Sequence, residues 1–187
     1  MNFLTHSNLE GKHAFLGASN YHWLGYDDEK LINSWTTAQA RAKGTRLHAF
    51  AAECIELRQK LPDKPQKTLS MYVNDAIGYK MTPEQILYYS SNCFGTADAI
   101  SFRNEKLRIH DLKTGQIEPK MEQLLIYAAL FFLEYDIKPA EVETELRLYW
   151  SNDIIIFKPE LDDIAPVIDK IVSFDKLINE LKLQEGE

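Results

Sequence analysis

Two aspartates and a lysine, Asp98, Asp111 and Lys113, lie in two short β-rich segments, FGTADAISF (94–102) and LRIHDLK (107–113), joined by Arg103-Asn104-Glu105-Lys106. Alternating apolar residues on either side of a short polar connection predict an antiparallel hairpin. With the turn centred on Asn104-Glu105, partner numbers sum to 209: Phe102 meets Leu107, Ile100 meets Ile109, Asp98 meets Asp111 and Thr96 meets Lys113. A loop of two or four residues gives this register, and an odd loop shifts it. Side chains alternate along a strand, so Asp98, Asp111 and Lys113 are expected on one face, in line with Ile100, Ile109, Phe102 and Leu107.

Directly opposed side chains have Cβ atoms roughly 4.5–5.5 Å apart. Two carboxylates so placed, continuing an apolar stripe, repel one another and lose hydration. A divalent cation resolves that conflict, and hard oxygen donors suit Mg²⁺ or Mn²⁺. Lys113, two residues from Asp111, would then hold or deprotonate a water attacking a phosphate. The competing reading is an ordinary sheet with a structural Asp–Lys ion pair.

Two more polar exceptions join the constellation. His48 stands at the edge of an apolar helix face, after the basic run Arg41-Ala42-Lys43-Gly44-Thr45-Arg46. A lone helical histidine is more often a satisfied core or surface residue than a ligand. Gln123 and Tyr127 stand four apart on one face of an otherwise apolar helix. An amide in such a helix needs a partner, so either a site lies above it or the helix end is wet.

Gly44-x-x-x-His48, Gly95-x-x-Asp98, Asp111-Leu112-Lys113-Thr114-Gly115 and Gln123-x-x-x-Tyr127 occur in that order. This series resembles the RecB-type branch of the PD-(D/E)XK nuclease superfamily, including the stand-alone CRISPR-associated and phage RecB-like exonucleases. The resemblance spans residues 44–127 and implies a restriction-endonuclease-like core. It also implies His48, Asp98 and Asp111 as metal ligands with the Leu112 carbonyl as a further one. Lys113 would position the water and stabilise transition-state charge, and Gln123 and Tyr127 would support the site or contact DNA. Glu53 and Glu56 are further candidates, because related enzymes sometimes use a helix carboxylate, although neither lies one helical turn from His48. Three departures stand out: Ala97 replaces the proline of the superfamily name, the final acid is Asp111 instead of Glu, and two cysteines cannot hold the iron–sulfur cluster of many relatives. No GxxxxGK[ST] phosphate loop occurs either.

The elements that must position these residues follow from periodicity. Asp27-Asp28-Glu29 places acids at a helix start, which suits the helix dipole. From about Ala38 to Leu61, Leu47, Phe50, Ala51, Cys54, Leu57 and Leu61 recur at helical steps, and Pro62 and Pro65 end the pattern. Leu69–Val73 reads as a short strand, and Thr82-Pro83-Glu84 as a helix start with Thr as cap and Pro at the first position. Residues 120–135 form a helix apolar nearly all round, which implies burial on a sheet. Glu143–Trp150 and Ile154–Lys158 read as a second hairpin, and a last helix runs from about Leu161 to Leu183. The order predicts one α/β domain with a central mixed β-sheet flanked by helices. Its parts would be a helical region 1–65, a catalytic core of about 66–158 and a C-terminal helix of about 160–183.

The chain has 187 residues, 45% of them hydrophobic, and a net charge of −7. That composition excludes collagen-like, disordered and disulfide-framework classes. The longest apolar run, Leu124–Leu133, is half of what a membrane-spanning helix needs. MNFLTHSNLEGKHAF lacks a cationic start followed by an apolar core, so no secretory signal is expected. The expectation is a cytoplasmic protein of a bacterial or phage-infected cell. Residues 38–68 carry seven cations, Arg41, Lys43, Arg46 and Arg58 among them, against three acids, while residues 159–187 carry eight acids against three cations. The acidic tail can thus mask a basic face that tracks DNA phosphates. Tyr88, Tyr89 or Trp150 are candidates for base stacking, with core packing the commoner role for most such residues.

The expected activity is a Mg²⁺- or Mn²⁺-dependent deoxyribonuclease, an exonuclease acting on DNA ends or single strands. The alternatives are a catalytically silent nucleic-acid- or protein-binding module on the same fold, and an unrelated metal-dependent hydrolase of a small acidic substrate.

Overall fold

The structure, a computed structural model, describes residues 13–62 and 67–185. The N-terminal stretch inspected above for a signal lies partly outside the described residues, as do Asp63, Lys64 and Pro65. The chain divides into two compact units, Met1–Thr45 and Arg46–Glu187.

In the first unit a 3-10 segment, Ala18–Gly25, precedes the start of helix α1 (Asp28–Glu56), whose residues from Arg46 on belong to the second unit. The Trp23 indole donates to the Gly17 carbonyl at 3.1 Å. Asp27 caps α1 by accepting the Lys30 amide at 2.8 Å. The helix therefore begins where the acidic cluster predicts a helix start, ten residues before its apolar periodicity becomes regular.

The second unit is built around a five-stranded sheet in the order β1 (Thr82–Ser90), β2 (Cys93–Arg103), β3 (Lys106–Leu112), β4 (Glu143–Trp150) and β5 (Asp153–Phe157). Neighbours are antiparallel except β3 and β4, which are parallel. Helix α3 (Glu122–Tyr135) makes the crossover between that parallel pair, as parallel strands require. Helices α2 (Lys67–Gly78) and α4 (Leu161–Glu185) complete the layers. The fold is α/β, with a mixed sheet flanked by helices.

Each sheet face buries its own core. On one side Leu87, Ile100, Leu107, Ile109, Leu146 and Leu148 meet Leu124, Ala128, Phe131 and Phe132 of α3 and Ile164 of α4. On the other, Ala99, Leu112 and Tyr149 meet Ala51, Cys54 and Ile55 of α1 and Leu69, Tyr72, Val73 and Ala76 of α2. No helix among the described residues is long and apolar enough to cross a membrane.

Residues 67–90 reverse the expectation from sequence. Leu69–Val73 belongs to helix α2, because Leu69, Tyr72, Val73 and Ala76 make a helical stripe too long for a five-residue window to show. The Asn74 amide also binds both backbone groups of Leu61, at 2.9 and 2.8 Å, and ties α2 to the preceding chain. Thr82-Pro83-Glu84 opens strand β1 instead of a helix. Pro83 is tolerated there because β1 is an outer strand.

Candidate functional site

The hairpin that carries the aspartates has the expected register. Ladder pairs run from Ala99↔His110 to Arg103↔Lys106, each summing to 209. Asn104 and Glu105 close it as a two-residue turn, both with positive φ (50° and 56°), as a turn matched to strand twist requires. Asp98 and Asp111 are the next residues beyond the last rung. The Asp98 carboxylate accepts the Leu112 amide at 2.9 Å, which pins the two strands where the ladder stops.

The simple alternation expected for β2 breaks at Asp98. Ala97 packs in the core under α3, whereas Ala99, two residues on, packs in the core under α1 and α2. Opposite Asp98, Glu84 has φ of 48° and drops out of the ladder between the pairs Pro83↔Ala99 and Gln85↔Ala97. A left-handed non-glycine residue costs about 1–2 kcal/mol, and such strain gathers at functional positions. The local irregularity lets Asp98 meet the Leu112 amide on one side and α1 on the other.

On α1, His48 lies with Nδ1 3.3 Å from Asp98 Oδ2. Ligand atoms of His48, Glu84 and Asp98 all lie within 4.8 Å of one another, a grouping of one imidazole and two carboxylates suited to a cation. Asp111 stands beside this group, 1% exposed, and joins it through charge. Its carboxylate holds the Lys113 ammonium at 2.9 and 3.1 Å.

Lys113 is held from its other side as well. Gln123 of α3 accepts the Lys113 ammonium at 2.7 Å and donates to the Tyr127 hydroxyl at 2.9 Å. Tyr127 in turn lies on the backbone of Gly95, where a Cβ would come within 2.9 Å of its Cε1. Gly95, Tyr127, Gln123, Lys113 and Asp111 thus form one line of contacts. The spacing of Gly95-x-x-Asp98 has a physical reason: a side chain at position 95 would displace the ring that supports the lysine.

The electrostatics are those of a cluster with more carboxylates than cations. Burial, then the Asp98 charge, pushes the Asp111 carboxyl up to about 6, against the opposing pull of Lys113. Glu84 is raised by burial and by Asp98. The bond to Asp98 raises His48, with Asp111 and Glu84 adding to it. Tyr72 of α2, buried beneath, has its hydroxyl pushed well above the ordinary range by burial and by the charges of Asp98, Glu84 and Asp111. Three carboxylates therefore face one lysine and one histidine.

The other residues singled out from sequence take these places. Leu112 is buried, its amide committed to Asp98. Arg46 is exposed on α1 two residues before His48. Arg41 and Lys43 are exposed on the part of α1 that belongs to the first unit. Glu53 and Glu56 are exposed and stand outside the cation-suited group. Tyr88 is half-exposed and stacks on Phe94 across the β1–β2 ladder, centroids 6.4 Å apart and planes 29° apart. Tyr89 packs on the core, and the Trp150 indole donates to the Gly115 carbonyl at 2.8 Å.

Glu84 and Tyr72 are the site residues that sequence reasoning missed. Both fall in the stretch whose helix and strand were reversed. Pairing 82–90 as a strand against 93–103 would have set Glu84 opposite Asp98.

Comparison with family models, with curated proteins and with solved structures finds no match for this chain.

Proposed function

We propose that this chain is a divalent-metal-dependent deoxyribonuclease, an exonuclease that hydrolyses phosphodiester bonds at DNA ends or in single strands, and a relative of the RecB-type PD-(D/E)XK nucleases. The observation that carries the reading is the convergence of Asp98, Asp111 and Lys113 at one hairpin end with His48 and Glu84. Four sequence motifs, weak singly, meet there in space.

The donor set fits a hard or borderline divalent ion. Carboxylate oxygens of Asp98, Glu84 and Asp111 and the imidazole of His48 would hold Mg²⁺ or Mn²⁺, and the Leu112 carbonyl is a further candidate ligand. When bound, such an ion lowers the pKa of a coordinated water and neutralises charge developing on the phosphoryl group. The chain's own residues supply the rest. Lys113 places an ammonium next to Asp111, where it orients the attacking water and offers a donor to a phosphoryl oxygen. Gln123 fixes the direction of that ammonium, and Tyr127 fixes Gln123. His48 would have to be neutral to ligate, against the protonated form that its bond to Asp98 favours, so metal binding there would compete with protons. The exposed Tyr88–Phe94 pair offers a stacking surface for unpaired bases, which favours a single-stranded end.

Labelled linear duplex and single-stranded DNA, incubated with Mg²⁺, with Mn²⁺ and with EDTA, test the proposal. Cleavage in either metal and none in EDTA is expected. Retention of DNA without cleavage in both metals would replace it with the silent binding module.

A further inference from the structure

A second cluster of charge lies at the other end of the same hairpin. The β2–β3 turn and the α2–β1 turn border a cavity of about 560 Å³ whose wall includes Lys80, Arg103, Lys106 and Arg108, with Glu143 as its one carboxylate. Arg103 is five residues along β2 from Asp98, about 16 Å at strand rise. This cavity is therefore separate from the cation-suited group.

Its cations exceed the acids available to pair with them. Glu145, behind the wall, already takes Arg147 at 2.9 Å. Arg147 also binds Asp75 at 3.0 Å and the Tyr79 hydroxyl at 2.9 Å. Arg108 reaches Glu145 only at 3.5 Å, and its buried Nε has no hydrogen-bond partner. Lys106 binds Glu143 at 2.6 Å, a carboxylate shared with Lys158 at 3.3 Å. Lys80 and Arg103 have no ion pair among the described residues. Three acids, Asp75, Glu143 and Glu145, thus serve four cations, Lys106, Arg108, Arg147 and Lys158, and leave Lys80 and Arg103 over, in a chain whose net charge is −7. Glu105 in the turn is exposed and outside the wall.

The wall also limits what kind of ligand fits. Its one aromatic ring, Tyr79, is occupied: Arg108 lies 4.5 Å and Arg147 4.9 Å from its centroid. No ring is left to stack on a base, so recognition here is ionic. The left-handed turn residues Lys80 (φ 54°) and Asn104 (φ 50°) set the rim of the cavity.

We propose that this cavity is a phosphate-binding site, distinct from the metal-binding site, which takes a phosphate group by charge and ignores the base attached to it. Its source is either the backbone of a nucleic acid or a compact phosphate compound, and the two are separated by the probe used.

The test compares wild type with the double variant Lys80→Gln/Arg103→Gln, both exposed positions, after unfolding curves show equal stability. Binding is measured in EDTA, so no cleavage intervenes, with a short fluorescein-labelled single-stranded oligonucleotide and, separately, with tripolyphosphate. The double variant is expected to lose about tenfold in oligonucleotide affinity near 100 mM salt, and the slope of log K against log salt should flatten by about 1.4, two contacts at about 0.7 each. Glu143→Gln, which removes the wall's carboxylate, should tighten binding about threefold as local repulsion falls. Loss toward both probes supports the site with a compact phosphate as ligand. Loss toward the oligonucleotide alone supports it with a nucleic-acid backbone as ligand. Unchanged affinity and slope in the double variant, or no binding of either probe by wild type, overturns it. Failure of the nuclease assay would leave these measurements unaffected.

Discussion

Replacing Asp111 by asparagine should make the metal-free protein more stable. Asp111 is 1% exposed, and burial together with the Asp98 charge pushes its carboxyl up to about 6. In an unfolded chain it would titrate near 4. Between those values the folded state holds a proton that the unfolded state has lost, so stability falls as pH rises from about 4 to about 6 and stays lowered above that. A shift of about 2 units, at about 1.4 kcal/mol per unit, sets an upper value of roughly 3 kcal/mol at neutral pH. That shift already includes the pull of Lys113, and imperfect hydrogen bonding of the buried amide, costing about 1 kcal/mol, leaves a net gain of about 1–2 kcal/mol. For a domain of this size that is about 2–8 °C in melting temperature. His48, also raised, titrates with the same sign in both proteins and does not reverse the comparison. Thermal unfolding in EDTA should show Asp111→Asn melting higher at about pH 7.5 and the gap closing toward about pH 4.5, the window set by the Asp111 shift. Mn²⁺ should then raise the wild-type melting temperature and leave the variant nearly unmoved. A variant that melts at or below wild type at neutral pH, or a gap independent of pH, would refute the reasoning.

If the chain is the nuclease proposed above, Lys113→Ala should reduce DNA cleavage by about 10²–10³ while calorimetric metal affinity changes little, because that reading places the lysine where charge develops and not among the ligands. Wild-type turnover in that variant would remove it from the mechanism. His48→Ala should weaken Mn²⁺ binding more than Mg²⁺ binding, since nitrogen is the softer donor, while Glu84→Gln should weaken both alike; calorimetry with the two ions separates these outcomes. Gly95→Ala should cost about 1–3 kcal/mol as its methyl meets the Tyr127 ring, and cleavage should fall with it. A Gly95→Ala protein with wild-type melting and activity would break the proposed line of contacts from Gly95 to Lys113.

The first hairpin was legible because every cue for it is local: alternating residues, a polar connection of fixed length, and a register that one turn determines. The same is true of α3, whose apolar circumference requires burial on a sheet. Residues 67–90 were not legible in this way. Leu69–Val73 looks like a strand until Ala76 extends the stripe to a second helical turn. Thr82-Pro83-Glu84 has the composition of a helix cap, and only pairing with a strand more than ten residues later overrides it. Glu84 escaped notice for that reason. His48 was nameable from its motif, but its approach to Asp98 depends on α1 packing across the sheet, which no spacing along the chain encodes. Tyr72 looks like any core tyrosine until the charges above it are placed.

Strand β5 has a bearing on how this molecule meets its own copies. It is the outer strand at the edge opposite β1 and reads Asp-Ile-Ile-Ile-Phe, with Ile156 half-exposed. An outer strand so apolar invites a second chain to extend the sheet. Ile154, whose side chain shares a face with that of Ile156, gives its amide to the Asp153 carboxylate at 2.8 Å, so one of the few free donors on that edge is already taken. Lys158 and Pro159 follow at once, a charge and a residue without an amide hydrogen. Protection against edge-to-edge growth thus rests on three choices at the strand's two ends, and Asp153 is the one whose loss would expose a donor as well as remove a charge.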